Sequence, residues 1–334
     1  MPSGFEVTTS ANTHAGRHRP NNQDYVAFFE PGNLEELLSS GRLYIVADGV
    51  GGASQGERAS KYAAEKVLVE YYHFPEVESG ERLQRIMRQA GNEIYNYAAQ
   101  SIDSSRMATT IVAAVVTEKT LILANVGDSR GYIIRDGAVH QITTDHTELN
   151  EMIKDGRLTE EEARRTTGKN RVTRSLGGEL NVQVDIFGDI PLKEGDKILL
   201  CSDGLTKHTS NDNLVELTKE GTPQMITKRL IDYANQKGGV DNISVIIVSI
   251  GKEIDLADTQ QEKANHLIST PVSLEDMPTE TFFEEKHQQE STMQRRHQKT
   301  QKKGYPLYVH IILFVGVISL CSIIGVLTRI VINL

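Results

Sequence analysis

The sequence predicts an α+β domain built on antiparallel β-structure, joined by a polar stretch to one C-terminal membrane helix. Three observations carry this. Short, β-branched apolar runs recur up to about Gly251, separated by Gly, Asn and Asp clusters. Two longer proline-free stretches in the same region have helical character, and a twenty-one-residue apolar run lies at Leu307–Leu327. The chain therefore divides into a folded domain at 1–251, an acidic then basic linker at 252–304 and an anchor at 305–334.

Taken in order, Leu43 to Ala47 is a strand-like run that ends on Asp48. Ser54 to Tyr72 and Glu81 to Ile102 read as helices. In the second, Leu83, Ile86, Ala90, Ile94 and Tyr97 recur at spacings of three or four and make one apolar stripe. Thr109–Thr117, Leu121–Val126, Gly131–Ile134 and Val139–Ile142 read as consecutive short strands expected to pair antiparallel with their neighbours. Arg135-Asp136-Gly137 supplies a hairpin turn between the last two. Glu148 to Lys169 is polar and poor in β-branched residues, which predicts a helical insertion or flap. A strand at Lys197–Cys201, helices near Asp212–Lys219 and Pro223–Gln236, and a last strand at Asn242–Ile250 complete the domain.

The 334 residues carry a net charge of -9 with no strongly basic face in the domain, so a nucleic-acid backbone is not an expected partner. The two cysteines, Cys201 and Cys321, lie in predicted apolar segments and make no disulfide framework, which fits a reducing compartment. The first residues, Met1 to Phe5, lack the basic and apolar regions of a secretory signal.

From Glu253 to Glu290 the composition turns to Asp, Glu, Gln, Ser and Thr, which cannot offset ordering entropy by burial. Arg295, Arg296, Lys299, Lys302 and Lys303 follow, and then the run Leu307–Leu327, long enough as a helix to cross about 30 Å of hydrocarbon. The positive-inside tendency keeps the basic cluster and the large domain in the cytoplasm, and the cations can also meet anionic lipid heads.

Four aspartates sit beside separate apolar runs. Asp48 follows Leu43–Ala47, Asp128 follows Leu121–Gly127, Asp203 follows Ile198–Ser202, and Asp241 precedes Ile243–Ile247. A carboxylate where a strand leaves the core is costly unless cations or hydrogen bonds compensate, and four such positions point to convergence on a hard metal. Oxygen-only ligands favour magnesium or manganese over zinc. Two divalent ions about 3.5 to 4 Å apart form the usual arrangement for attack of water on phosphorus, which makes the chain a candidate hydrolase. Rival signatures are lacking: Cys201 is followed after five residues by Lys207 rather than the arginine of a cysteine-phosphatase loop, no Asp-x-Asp occurs, and no P-loop is present.

Six motifs then stand in order: Arg19 with Asn22-Gln23-Asp24, Asp48-Gly49-Val50-Gly51-Gly52, Ala108-Thr109-Thr110, Gly127-Asp128-Ser129-Arg130, Ser202-Asp203-Gly204 and Asp241-Asn242-Ile243-Ser244. Together they closely resemble the metal-dependent (type 2C) protein serine/threonine phosphatases, over about residues 5 to 250. The resemblance implies an antiparallel β-sandwich flanked on both faces by antiparallel helix pairs, with a metal centre at one end. It implies that Asp48 bridges two ions, that the Gly49 carbonyl binds one, and that Asp203 with Asp241 completes the other. Asp128, with Asp203, would hold the third ion of bacterial-like members, so two or three Mn2+ or Mg2+ ions are expected. Asp24 would order water and Arg19 would receive the substrate phosphate.

The chain departs from the family at Val50, where some members carry a histidine acid, and at Gln23, where others carry an acidic residue. His14 and His18 are alternatives for the leaving-group acid, beside a structural role for each; Arg130 is expected to brace the Asp128 turn, Arg171 and Arg174 to be solvated, and His146 to be structural. The expected function is a membrane-tethered phosphatase acting on phosphoserine and phosphothreonine proteins, with a membrane serine/threonine kinase and its substrates as counterparts. The alternative is a catalytically silent scaffold or sensor that binds a phosphoprotein or kinase.

Overall fold

The computed structural model describes residues 3–51, 55–100, 107–165 and 171–256. Along the chain, β1 (Ser3–His14), β2 (Asp24–Phe29), α1 (Leu34–Ser40) and β3 (Arg42–Gly51) lead into the helix pair α2 (Gln55–Tyr71) and α3 (Ser79–Gln100). Then come β4 (Met107–Val116), β5 (Thr120–Val126), β6 (Arg130–Arg135) and β7 (Ala138–Gln141), followed by α4 (Glu148–Lys154) and α5 (Glu160–Arg165). The domain closes with β8 (Asp185–Pro191), β9 (Lys197–Cys201), α6 (Asp203–Thr206), α7 (Asn211–Thr218), α8 (Pro223–Gln236) and β10 (Ile243–Asp255).

The strands form two five-stranded antiparallel sheets, ordered β1-β10-β9-β6-β7 and β2-β3-β4-β5-β8. Side-chain alternation along each strand decides the layers. In β10, Ile246, Val248 and Ile250 face the other sheet, against Val46, Val112, Ala114 and Leu123. Val245 and Ile247 face the opposite way, onto Ile226, Leu230 and Ala234 of α8. Burial on both faces is why β10 reads as a continuous apolar run rather than an alternating one. The outer face of the second sheet is covered by α2 and α3, through the stripe containing Leu83, Ile86, Ala90 and Ile94, all fully or nearly fully buried. The architecture is thus helix, sheet, sheet, helix, as the resemblance implied.

The structure changes one expectation that matters for the site. β5 and β6 are consecutive but do not pair: β5 lies between β4 and β8, whereas β6 lies between β9 and β7. The chain crosses from one sheet to the other at Gly127-Asp128-Ser129, with Gly127 at φ 110 and its α-carbon against Thr110, where a Cβ would come within 2.4 Å of the threonine side chain. The β6–β7 turn is as expected, with Asp136 at φ 52 and Gly137 at φ 75, the left-handed pair of a tight hairpin. β10 runs on to Asp255, past the expected end at Ile250, because Gly4 and Phe5 of β1 continue to pair with it. β1, β2, α1 and β8 were not expected from the sequence.

The linker beyond Leu256, the basic cluster and the run Leu307–Leu327 lie outside the described residues. Among the described residues, no helix is long and apolar enough to cross a membrane.

Candidate functional site

Strand register brings the acidic residues to one end of the sandwich. Asp24, the first residue of β2, pairs directly with Asp48 of β3, and Asp48 pairs with Thr110 near the start of β4. β5 ends beside that point, with Val126 opposite Ile111, so the crossover carrying Asp128 emerges there. In the other sheet Cys201, the last residue of β9, pairs with both Arg130 at the start of β6 and Val245 near the start of β10. Asp203 and Asp241, each two residues outside those strands, are therefore at the same end.

Side-chain hydroxyls tie the two sheets together here. Ser202 Oγ donates to Asp24 Oδ2 at 2.7 Å and accepts from Ser244 N at 3.0 Å. Thr110 Oγ1 and Ser129 Oγ lie 2.8 Å apart, and Thr109 Oγ1 donates to the Asp48 carbonyl at 2.8 Å. The Thr109-Thr110 pair, expected only to start a strand, thus fixes β3 and the crossover against each other. Gly49 lies hard against the start of α2: a Cβ there would lie 2.3 Å from the Gly56 carbonyl and 2.7 Å from that of Gln23.

Burial without compensating charge shows in the proton affinities. Asp48 is pushed well above the usual carboxylate range by burial first, and then by the negative fields of Asp24, Asp203, Asp128 and Asp241. Asp24 is raised to about 7, again mainly by burial, against the opposing bonds from Ser244 and Ser202. Asp128 is also raised to about 7, by burial and by Asp203 and Asp145. Two carboxylate atoms here, Asp24 Oδ1 and Asp203 Oδ1, are buried without a hydrogen-bond partner. A set of buried, mutually repelling carboxylates with unpartnered oxygens suits a hard divalent cation, which would supply the missing charge and bonds.

Two side-chain cations lie among these acids. Arg19 Nε is 2.9 Å from Asp241 Oδ1, and Arg19 NH2 donates to Oδ2 at 3.0 Å. Lys207 Nζ lies 2.6 Å from Asp203 Oδ2 and 2.8 Å from Asp241 Oδ2. Burial alone would raise Asp241, but Lys207 and Arg19 outweigh it and hold this carboxyl below the usual range. Among the described residues, no group of three or more acidic, histidine or cysteine side chains is arranged to ligate a single ion as it stands. The convergence of the five carboxylates is electrostatic and topological.

Two features, at Asn242 and Arg174, escaped the sequence reading, and the structural role expected of His146 takes a specific form. Asn242 staples the Arg19 loop: its Nδ2 donates to the carbonyls of Ala15 at 2.9 Å and Asn21 at 3.0 Å, and its Oδ1 accepts from Gln23 N at 2.9 Å. The Asp-Asn pair ahead of an apolar run was the signal for such a role. His146 clamps the crossover, with Nδ1 accepting from Gly127 N at 2.9 Å and its own N donating to the Gly127 carbonyl at 2.9 Å. The proton therefore resides on Nε2, 3.0 Å from Asp185 Oδ2. Arg174, expected to be solvated, donates to Asp185 Oδ1 at 3.1 Å and joins this cluster. Arg130 grips Asp145 through Nε and NH2, at 2.9 and 2.6 Å, and so braces the segment leading to His146 rather than the Asp128 turn itself. Arg171 is exposed, 3.7 Å from Glu148. His14 accepts from Gly16 N at 2.9 Å, while His18 and Val50 are exposed.

The whole arrangement has relatives. The family model for protein phosphatase 2C matches residues 13–239. A serine/threonine phosphatase of Listeria innocua is 35% identical over 243 residues, which cover 71% of this chain and 93% of that protein. A solved serine/threonine phosphatase of S. agalactiae is 36% identical with a TM-score of 0.67, covering 73% of this chain and all of that one. The catalytic domain of the serine/threonine protein phosphatase PstP, solved with two manganese ions, is 30% identical with a TM-score of 0.58 and covers 74% of this chain and 99% of that one.

Proposed function

The chain belongs to the protein phosphatase 2C family and is a metal-dependent serine/threonine phosphatase acting on phosphoproteins, and from that premise we propose how its own residues carry the reaction and where the enzyme sits. Asp48, the Gly49 carbonyl, Asp203 and Asp241 would hold two divalent ions, Mn2+ or Mg2+, and Asp128 with Asp203 would hold a third. Ions held there supply Lewis-acid chemistry, offsetting the carboxylates' repulsion and making water acidic enough to attack phosphorus.

The protein's own groups do the rest. Asp24, fixed by the Ser202 hydroxyl through Oδ2, offers Oδ1 to the attacking water and orients it. Arg19, on a loop fastened by Asn242, takes the phosphate oxygens of the substrate in a two-pronged grip, the geometry it already uses on Asp241. The observation that supports this reading best is Asp48, partly buried at the end of β3 and raised by desolvation and by the negative fields of four other carboxylates, a concentration of charge that divalent cations would offset. The test is phosphate release from a phosphothreonine peptide with Mn2+, for which Asp48→Asn and Asp241→Asn should each lower turnover by about a hundredfold or more. Turnover close to that of the unaltered enzyme in either variant would remove the assignment.

The enzyme is also proposed to be tethered to the cytoplasmic face of a membrane through Leu307–Leu327, with Arg295 to Lys303 at the lipid surface. Tethering would concentrate it, on the order of millimolar, beside a membrane serine/threonine kinase and that kinase's substrates. The full chain should resist alkaline extraction from membranes, whereas a chain ending at Leu256 should be released. Recovery of the full chain in the soluble fraction would dismiss the anchor.

A further inference from the structure

Lys207 is set by a short local geometry. It caps α6 (Asp203–Thr206), so its side chain folds back one turn onto Asp203, four residues earlier, and there also meets Asp241 from the loop before β10. The ammonium is shared between two carboxylates that come from opposite ends of the β9-to-β10 segment. Arg19 covers the remaining edge of Asp241 from a third part of the chain. The two carboxylates are only about one-fifth exposed and the lysine about one-third, so neither charge is fully screened by water.

We propose that Lys207 is an internal counter-ion for the Asp203–Asp241 pair, which a divalent cation must displace to bind. This inference rests on the proposed metal site. Asp203 keeps Oδ1 open, but Asp241 has both oxygens engaged, Oδ1 by Arg19 Nε and Asn242 N and Oδ2 by Lys207 and Arg19, so a cation that draws on both carboxylates has to take Asp241 from the lysine ammonium and replace its positive charge. Lys207 therefore stabilises the metal-free chain and weakens its hold on metal. Its displacement carries a second consequence: as Asp241 turns to the ion, Arg19 is released from it and becomes free for the substrate phosphate. Metal binding thereby precedes and promotes phosphate binding.

The test is Mn2+ binding by titration calorimetry on the full chain in detergent at pH 8, where the exposed carboxylates are ionised. Unaltered enzyme is compared with Lys207→Met, Lys207→Gln, Lys207→Arg and Asp241→Asn, together with melting of each in EDTA. Both neutral variants should bind Mn2+ about three- to tenfold more tightly, in the range of a partly exposed ion pair, and should melt at lower temperature without metal; Lys207→Arg should remain within about twofold of the unaltered enzyme. Unchanged or weaker Mn2+ binding in the neutral variants, or equal tightening in Lys207→Arg, would overturn the inference. Asp241→Asn separates the two levels: if it loses Mn2+ affinity while Lys207→Met gains none, the metal site stands and the counter-ion role falls. If Asp241→Asn binds Mn2+ as the unaltered chain does, the metal site itself is misplaced and the counter-ion role falls with it.

Discussion

The buried carboxylates should make the metal-free enzyme less stable as pH rises, and Asp24 provides the cleanest measure. Its carboxyl is 6% exposed and is lifted from 3.8 to about 7, chiefly by burial. Because the folded value lies above the unfolded one, the native state holds its proton over a range where the unfolded chain has already released it. Native stability therefore falls with increasing pH between roughly 4 and 7 and levels off above. A rise from 3.8 to about 7 corresponds to about 4 kcal/mol at most at pH 8. Asp24→Asn keeps an oxygen to accept from Ser202 Oγ and removes the titration, so it should stabilise the metal-free chain by up to that amount at pH 8 and by little near pH 4. Urea unfolding in EDTA, repeated at steps between pH 4.5 and 8, reads this directly. Parallel stability curves for the two proteins across that range would refute the reasoning, since burial would then impose no cost on the charge. With saturating Mn2+ the gap should shrink, because ions bound by the neighbouring carboxylates would offset the charge on Asp24.

Asn242→Ala removes three bonds that fasten the Arg19 loop, each worth about 1 kcal/mol, and should raise KM for a phosphopeptide more than it lowers kcat; the split is read from steady-state kinetics. His146→Ala strips the crossover of its clamp and should destabilise the fold by about 2 to 3 kcal/mol in chemical unfolding. Burial, the largest influence, lowers the proton affinity of His146, so its contribution is intact at neutral pH and is lost as acid protonates the ring below the ordinary histidine value. Gly49→Ala drives a methyl group into the Gly56 and Gln23 carbonyls and should cost about 1 to 3 kcal/mol in thermal unfolding, with activity reduced at the adjacent Asp48.

Much of the architecture was readable because its signals are local. β9 and α8 begin and end where their composition says, since Ile198–Cys201 is an apolar run between polar residues and α8 has Thr222 as its cap and Pro223 in the first turn. β1 was missed because it is an edge strand paired only with β10 and mostly polar, so neither alternation nor an apolar run marks it. β2 and β8 are likewise edge strands, at the two ends of the other sheet, each paired on one side only. The acidic residues were recognised as a set because each sits at the polar end of a buried strand. The ion pairs they make were not foreseen, because Lys207 and Arg19 reach Asp241 across 34 and 222 positions of sequence.

The residues by themselves determined that the chain has apolar strands tipped with aspartate, helices with one apolar stripe, and a tight left-handed turn at Asp136-Gly137. Those properties depend on side-chain size, charge and φ preference within a few residues. Only the folded arrangement decided that β5 and β6 separate into different sheets, that Asp24 faces Asp48 across a ladder, and that His146 grips the backbone ahead of Asp128. Strand partners are chosen by the competition of distant edges for backbone hydrogen bonds and a shared core, and no short stretch of sequence contains both edges.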